Sequence, residues 1–191
     1  MPRSGLTTAR VVEEAALVAD EVGLASVTLM SVAERLGVRT PSLYKHIDGM
    51  DALQRQLSIR ATTELAAVLA RACVGKAGVQ ALQALFVACR DWAKKHPGRY
   101  AATVKAPDPK DTESVAAFAT VVQVALDVLA GFDLAGDDAI DAVRAMRSTL
   151  HGFIALEQAG GFGLPVDIDR SFDRLVLGLA STLHEWATSN A

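Results

Sequence analysis

Residues 28 to 47, TLMSVAERLGVRTPSLYKHI, constrain the fold of this chain more than any other stretch. Thr28 suits the N-cap of a short helix, because its hydroxyl can accept a hydrogen bond from a free backbone N–H. Gly37 tolerates the positive φ of a tight turn, and the small Ala33 before it allows two helices to cross closely. The pattern predicts two short helices joined by a turn, which is the sequence form of a helix-turn-helix.

A third short helix is expected immediately after this turn. Thr40 is placed to cap it with Pro41 at its first position, where a missing N–H leaves no hydrogen bond unmade. Leu43 and Ile47 are four residues apart and therefore share an inner face. The polar residues near the outer face are Thr40, Ser42, Tyr44, Lys45 and His46. Such side chains suit contacts to phosphates and base edges, although a surface helix of an unrelated bundle has the same spacing.

The overall charge of the chain neither indicates nor excludes a nucleic-acid partner. The net charge is −3 with a pI near 5.8, so a DNA-binding function must rest on a local basic patch. Residues 35 to 60 carry five Lys and Arg against two Asp. An ordinary solvated face would also fit this count.

The remaining composition indicates a helical protein of a reducing compartment. Apolar residues make up 51% of the chain and aromatics only 5%, which favours helices built on Ala, Val and Leu. Cys73 and Cys89 lack metal-ligand spacing, so buried thiols in a cytoplasmic protein are expected. No signal-peptide pattern is seen, and the longest charge-free runs have 13 residues. A bilayer span needs about 20, so no membrane partner is expected.

Downstream of residue 48, helical periodicity predicts a bundle. A long helix from Met50 to Cys73 connects the first 48 residues to the rest, and further helices are expected up to Thr188. Residues 111 to 130 are apolar nearly all round, which predicts a helix enclosed by its neighbours. Asp137 is expected to cap the helix after that. The fold class is therefore all-α with about nine helices, divided into a helix-turn-helix domain, 1–48, and a helical domain, 49–191.

The second half of the chain is expected to enclose a ligand rather than to catalyse a reaction. The sequence contains no GxSxG, P-loop or HExxH motif, no histidine has a partner at metal spacing, and no cofactor is indicated. Apolar pockets lie readily between bundle helices. The candidate lining residues are Phe86, Cys89, Trp92, Tyr100, Val104, Phe118, Val122, Met146, Leu150 and Phe153. Plain core is the alternative for each, and an apolar or weakly polar ligand fits these side chains best.

Residues 12 to 57 resemble the DNA-binding domain of the TetR family of bacterial transcriptional regulators. The matching segments are AALVADEVG, VTLMSVAERLGV and above all TPSLYKHIDGMDAL. The resemblance implies that DNA is contacted by Thr28, Arg39, Thr40, Ser42, Tyr44, Lys45 and His46. One departure is Met50, which stands where the family often has a lysine near the start of the fourth helix, so the resemblance does not imply a side-chain contact to phosphate at this position.

The resemblance also implies that the last two long helices form a dimer interface with a second copy of the chain. The residues assigned to it are Leu150, Ile154, Phe172, Leu175, Val176, Leu179, Leu183 and Trp186. Residues 80 to 185 are similar to the C-terminal domain of a subgroup named for a Trp-His-Gly motif. His151 and Gly152 match this motif, whereas no tryptophan stands closely before them.

The expected function is a repressor that binds a palindromic operator as a homodimer and is released by a small apolar molecule. A helical ligand carrier or enzyme, in which the helix-turn-helix-like segment is only structural, is the alternative from another class. A regulator that activates, or that acts without a ligand, is a third.

Overall fold

The computed structural model of the chain describes residues 5–189, and its regular elements in that range are all helical. Eight α-helices and a 3₁₀ helix at Thr40–Lys45 account for the nine expected helices of the described range. The α-helices are α1 (Thr8–Val22), α2 (Leu29–Leu36), α3 (Gly49–Cys73), α4 (Gly78–Lys95), α5 (Pro97–Ala102), α6 (Thr112–Leu129), α7 (Gly136–Gln158) and α8 (Ile168–Ser189). The predicted all-α fold class is confirmed.

The ends of α1 and α2 follow the local signals of the sequence. Thr7 caps α1 by accepting a hydrogen bond from the amide of Arg10, and Gly23 follows its last residue with φ at 86°. The Thr28 hydroxyl accepts from the amide of Ser31 at 3.0 Å, while the Ser31 hydroxyl accepts from the amide of Thr28 at 3.1 Å. This reciprocal capping box fixes where α2 begins.

Two predicted caps are wrong by one or two residues. The helix at Thr40–Lys45 has Arg39 as its N-cap, because the amide of Ser42 donates to the carbonyl of Arg39 and closes the first turn there. Likewise α7 begins at Gly136, because the amide of Ala139 donates to the carbonyl of Ala135. In both cases the backbone closes its first turn without a side-chain cap.

The chain divides into two compact units. The first unit runs up to Glu64 and includes Lys95–Phe118, and in it α1 packs against α2 and α5. The second comprises Leu65–Lys94 and the chain from Ala119 onward, with α7 packed against α8 around the buried rings of Phe86 and Phe172. The predicted boundary after residue 48 falls inside the first unit, and as a functional boundary it stays a prediction.

The helix expected to be enclosed, α6, is instead mostly half-buried or exposed. Only Val128 and Leu129 of its 18 residues are buried, and the other 16 are divided equally between half-buried and exposed. The stretch Thr112–Phe132 has a mean hydropathy of 2.0 over an 18-residue window, of which 22% is buried. By length and composition alone this stretch could cross a membrane, a test that the core helices of water-soluble proteins also pass. The charge-free runs of the sequence did not indicate this stretch, because acidic residues near its two ends interrupt the run.

Candidate nucleic-acid interface

A buried carboxylate fixes the first two helices of the first unit to each other. Glu14 lies on the inner side of α1, and its two oxygens accept from Arg10 at 2.6 Å and from Arg35 of α2 at 2.9 Å. Arg35 also donates to Glu21 at 2.6 Å. These hydrogen bonds, that to Glu21 first and that to Glu14 next, raise the pKa of the Arg35 guanidinium. The crossing of α1 and α2 is therefore held by charge-assisted hydrogen bonds as well as by packing.

The 3₁₀ helix Thr40–Lys45 is the third helix of the predicted helix-turn-helix and is called the third helix below. The turn between α2 and this third helix has the predicted geometry. Gly37 lies in the left-handed region with φ at 67°, and Ala33 is buried where the helices meet. At the other end, the hydroxyl of Thr8 donates to the carbonyl of His46 at 2.8 Å. This contact ties the start of α1 to the end of the third helix, so the three helices form one frame.

The third helix is a 3₁₀ helix, and this changes which residues share a face. Residues three apart are stacked in a 3₁₀ helix, whereas those four apart are nearly stacked in an α-helix. Leu43 is fully buried and Ile47 nearly so, as predicted. Thr40 and His46, each three residues from Leu43, are consequently half-buried, while Tyr44 points outward with 57% of its surface exposed.

The seven residues expected to contact DNA differ in how far they are accessible. Arg39, Tyr44, Lys45 and Thr28 are exposed, whereas the other three predicted contacts, Thr40, Ser42 and His46, are half-buried. The hydroxyl of Thr28 is already engaged in the capping box. Next to Thr28, the first amide N–H groups of α2 have no acceptor within the helix, so they can bind an anion.

The basic patch counted from the sequence is reduced by ion pairs in the first unit. Arg35 is bound by Glu14 and Glu21, Arg55 by Asp111 and Glu113, and Arg60 by Glu64. Of the five cations between residues 35 and 60, only Arg39 and Lys45 have no ion pair within residues 5–189. Both flank the exposed ring of Tyr44, so the free positive charge is concentrated on the third helix.

The residues expected to line a ligand pocket are divided between the two units. Tyr100, Val104 and Phe118 belong to the first unit, and the other seven, Phe86, Cys89, Trp92, Val122, Met146, Leu150 and Phe153, belong to the second. A cavity of about 850 Å³ lies in the first unit, and of the ten residues only Phe118 lines it. Cys89 is buried, and burial raises the pKa of its thiol to about 12, whereas Cys73 is only half-buried. For all ten residues, a ligand contact stays a prediction.

Most of the residues assigned to a dimer interface are buried in the chain's own core. Leu150, Ile154, Phe172, Val176 and Leu183 are at most 6% exposed, while Leu175, Leu179 and Trp186 are half-buried. Helical periodicity identified apolar faces correctly, and five of the eight side chains pack within the second unit. A dimer contact for the eight residues stays a prediction. The outward faces of α7 and α8 carry other residues, among them Gly152, Leu156, Leu177 and Gly178.

Sequence reasoning also missed a buried charged group in the second unit. Arg90 is 7% exposed and donates to Glu157 at 2.8 Å and to Asp169 at 2.8 Å. Its guanidinium lies 4.6 Å from the ring centre of Phe172. An arginine on an otherwise apolar helical stripe was the one signal that could have indicated it. Within residues 5–189 no group of three or more His, Cys, Asp or Glu is placed to hold a metal ion.

Comparison with known proteins gives concordant matches along the chain. Residues 82–179 match the family described as Tetracyclin repressor-like, C-terminal domain. The chain is 34% identical over 184 residues to the HTH-type transcriptional regulator Rv0681 of Mycobacterium tuberculosis, covering 96% of this chain and 84% of the relative. It is 35% identical over 167 residues to the HTH-type transcriptional regulator YobS of Bacillus subtilis, covering 87% of each.

Solved structures share the same fold. A TetR variant from Acinetobacter baumannii AYE, in complex with minocycline, superposes with a TM-score of 0.70 at 22% identity and covers 98% of this chain and 99% of that one. Apo ActR from Streptomyces coelicolor gives a TM-score of 0.73 at 18% identity, covering 97% and 98%. At these sequence identities the similarity shows a shared fold, that is, the same arrangement of helices.

Proposed function

The chain belongs to the TetR family of helix-turn-helix transcriptional regulators, and we propose that it is a repressor that binds a palindromic operator as a homodimer. A small, largely apolar molecule releases it from the operator. The observation that carries the DNA-binding part is the third helix, which presents Arg39, Tyr44 and Lys45 outward while its apolar side is buried. A cytoplasmic location follows from the proposed partner.

In this proposal the third helix enters the major groove. Arg39 and Lys45 neutralise phosphates on the two sides of the groove, and the phenol of Tyr44 reaches a phosphate or a base edge. Thr40, Ser42 and His46 are half-buried, so they position the third helix and contact the DNA only where it approaches closely. The N-terminus of α2 next to Thr28 binds a further phosphate through its amide groups. Met50 offers no charge, so the start of α3 contributes only its backbone amides.

The outward faces of α7 and α8 are the proposed dimer contact. Gly152 and Gly178 have no atom within 4 Å of where a Cβ would stand, so a partner helix can approach both closely. Leu156 and Leu177 lie on the same helices and are about half exposed. A two-fold pair of such faces forms a four-helix interface. To bind successive major grooves, the two third helices of the dimer must lie about 34 Å apart, one turn of DNA.

Release by a ligand follows from population shift. A molecule that binds best to a conformation with the wrong spacing of the third helices withdraws the dimer from DNA. A coupling of about 1–3 kcal/mol changes operator affinity about 5–150-fold. The Acinetobacter relative was solved with minocycline bound, which supports a small-molecule effector for this chain without naming it.

The test is selection of bound sequences from a random pool of duplex DNA. The expected product is a palindrome whose half-sites are centred about one helical turn apart, bound more weakly as salt increases. Recovery of no preferred sequence, with weak binding that is insensitive to salt, would instead favour a helical small-molecule-binding protein or an enzyme. Position of the selected site relative to its promoter then distinguishes a repressor from an activator.

A further inference from the structure

The first unit contains a cavity of about 850 Å³ whose lining residues all belong to that unit. Its walls come from Val22–Ser26 at the end of α1, the first half of α3, the last residues of α5, and the segment from Lys105 to Phe118. Ligand sites commonly have volumes of about 300–1,000 Å³, so this cavity is large enough for a drug-sized molecule. It will be called the first-unit cavity.

Two sets of hydrogen bonds connect the walls of the first-unit cavity to each other. The guanidinium of Arg55 on α3 donates to both oxygens of Asp111 at 2.6 Å and to Glu113 at 2.8 Å. The Ser58 hydroxyl donates to the carbonyl of Ala102 at 2.8 Å. Arg55 lowers the pKa of Asp111, so the pair stays ionised at neutral pH. The cavity is therefore shaped by strong, directional contacts before any ligand enters, which lowers the cost of binding.

The lining of the cavity selects for a particular chemistry. The walls include the apolar side chains of Leu24, Ile59 and Phe118 and several alanines. The charged side chains are three aspartates, one arginine and one lysine. Arg55 and Asp111 neutralise each other, so the other charged lining residues are the exposed carboxylates of Asp51 and Asp108 and the exposed ammonium of Lys105, a net charge of −1. A molecule with an apolar body and one positive charge complements both features.

We propose that the first-unit cavity is the binding site for a hydrophobic amine that controls DNA binding. This inference deepens the proposed function, on which its regulatory part rests. The wall formed by Val22–Ser26 is the connection between α1 and α2. A ligand in the cavity therefore contacts this connection directly and can change the angle at which the two helices cross. Because α2 packs against the third helix, a change in that crossing moves Arg39 and Lys45 relative to the DNA.

The first test measures binding of two probes to the full chain by calorimetry without DNA. The probes are 1-naphthylmethylamine, a cation, and 1-naphthoate, an anion of nearly the same shape. We expect the amine to bind at least about tenfold more tightly than the carboxylate, which corresponds to about 1.4 kcal/mol. Equal binding of both probes, or no binding of either at about 1 mM, would overturn the proposed site.

Variants then locate the bound amine. Gln54 on α3 is exposed and lines the cavity, so Gln54→Trp fills part of it and should weaken amine binding at least tenfold. Thr63→Trp introduces the same ring on the same helix at an exposed position outside the cavity and should leave binding unchanged. The double variant Asp51→Asn with Asp108→Asn keeps the shape and should remove the preference for the amine. Unchanged amine affinity in Gln54→Trp would contradict the assignment.

A second measurement separates this site from the proposed function. The operator recovered by selection is titrated with protein in the presence and absence of the amine. A drop in affinity of at least fivefold, lost in Gln54→Trp, supports control through the cavity. Amine binding at the cavity with unchanged operator affinity overturns the control while DNA binding stands. If no operator can be selected, the proposed function and the control of DNA binding by the amine are both overturned. The calorimetric comparison of the two probes then still tests whether the cavity binds the amine.

Discussion

The backbone of Gly98 lies directly against the carbonyl of Ala19. A Cβ built on Gly98 would stand 1.9 Å from that carbonyl oxygen and 2.7 Å from the amide nitrogen of Asp20. Gly98 is the second residue of α5, and the contact brings α5 against the last turns of α1. Beside it, the carboxylate of Asp20 accepts from the amide of Arg99 at 2.9 Å and from its side chain at 2.7 Å. Only glycine allows this approach.

Replacing Gly98 by alanine should therefore destabilise the first unit. The added methyl group meets backbone atoms, which cannot rotate away, so α1 and α5 must separate. We expect a loss toward the upper end of the overpacking range, about 3 kcal/mol, and weaker operator binding, because α1 belongs to the helix-turn-helix frame. Thermal unfolding and an operator titration measure the two effects. Gly163→Ala is the matched control, since it has no atom within 4 Å and should change stability by less than about 1 kcal/mol.

Replacing Lys45 by alanine should weaken binding to all DNA sequences similarly. Each phosphate contact contributes about 0.9 to the slope of log affinity against log salt, so two copies in a dimer should lower the slope by about 2. Lys76→Ala removes an exposed lysine of the second unit and should leave the slope unchanged. Fluorescence anisotropy with the selected operator at several salt concentrations makes the comparison. An unchanged slope for Lys45→Ala would remove this lysine from the interface.

Replacing Leu177 by glutamate should convert the proposed dimer into a monomer. Leu177 is 48% exposed on α8, and a partner helix there would bury the new carboxylate without a counter-charge. Leu164→Glu is the control, because Leu164 lies in the loop before α8 and is 81% exposed. Sedimentation equilibrium reports the mass of each variant. A dimer of Leu177→Glu as stable as the wild type would place the interface elsewhere.

Replacing Arg90 by methionine should destabilise the second unit strongly. Within residues 5–189 the change leaves the half-buried Glu157 with Lys94 as its one remaining cation, and it removes the stacking on Phe172. Breaking a buried pair by removing one partner costs about 3–5 kcal/mol. Arg144→Met removes an exposed pair with Asp141 and should cost at most about 1 kcal/mol. Urea unfolding followed by tryptophan fluorescence is suitable, because Trp92 and Trp186 both lie in the second unit.

The same ion pair predicts a loss of stability in acid. The hydrogen bond from Arg90, and then that from Lys94, lowers the pKa of Glu157 from 4.5 to about 2. A carboxylate whose folded pKa is depressed stabilises the fold above its unfolded pKa and loses that contribution as pH falls through the folded value. The contribution is about 3 kcal/mol at most, present above about pH 5 and gone near pH 2. The stability difference between wild type and Glu157→Gln should therefore shrink over this range.

Glu13→Gln provides the control for the acid titration. Glu13 pairs with Arg10 in an exposed contact, so its replacement should change urea unfolding little at any pH. A difference between wild type and Glu157→Gln that stays constant from pH 7 to pH 3 would show that the pair does not stabilise the fold through its charge.

Several features of the fold followed from the sequence because their causes are local. The cap at Thr28 was predicted because it depends only on the residue's own hydroxyl, and the structure adds the reciprocal hydrogen bond from the amide of Thr28 to Ser31, three residues away. The positive φ of Gly37 and the buried face of Leu43 depend on neighbours in the same short segment. The helices of the candidate nucleic-acid interface could be predicted for this reason, although the 3₁₀ geometry that turns Thr40 and His46 partly inward could not.

Other features were decided only by the tertiary structure. The sequence showed five cations between residues 35 and 60, but not that Asp111 would neutralise Arg55 from 56 residues away. It showed that Phe172 and Leu183 share an apolar face, but not whether that face meets the same chain or a second copy. A cap or a turn is fixed by atoms within a few residues, whereas the free charge of a surface and the partner of an apolar face depend on which distant segments packing brings together.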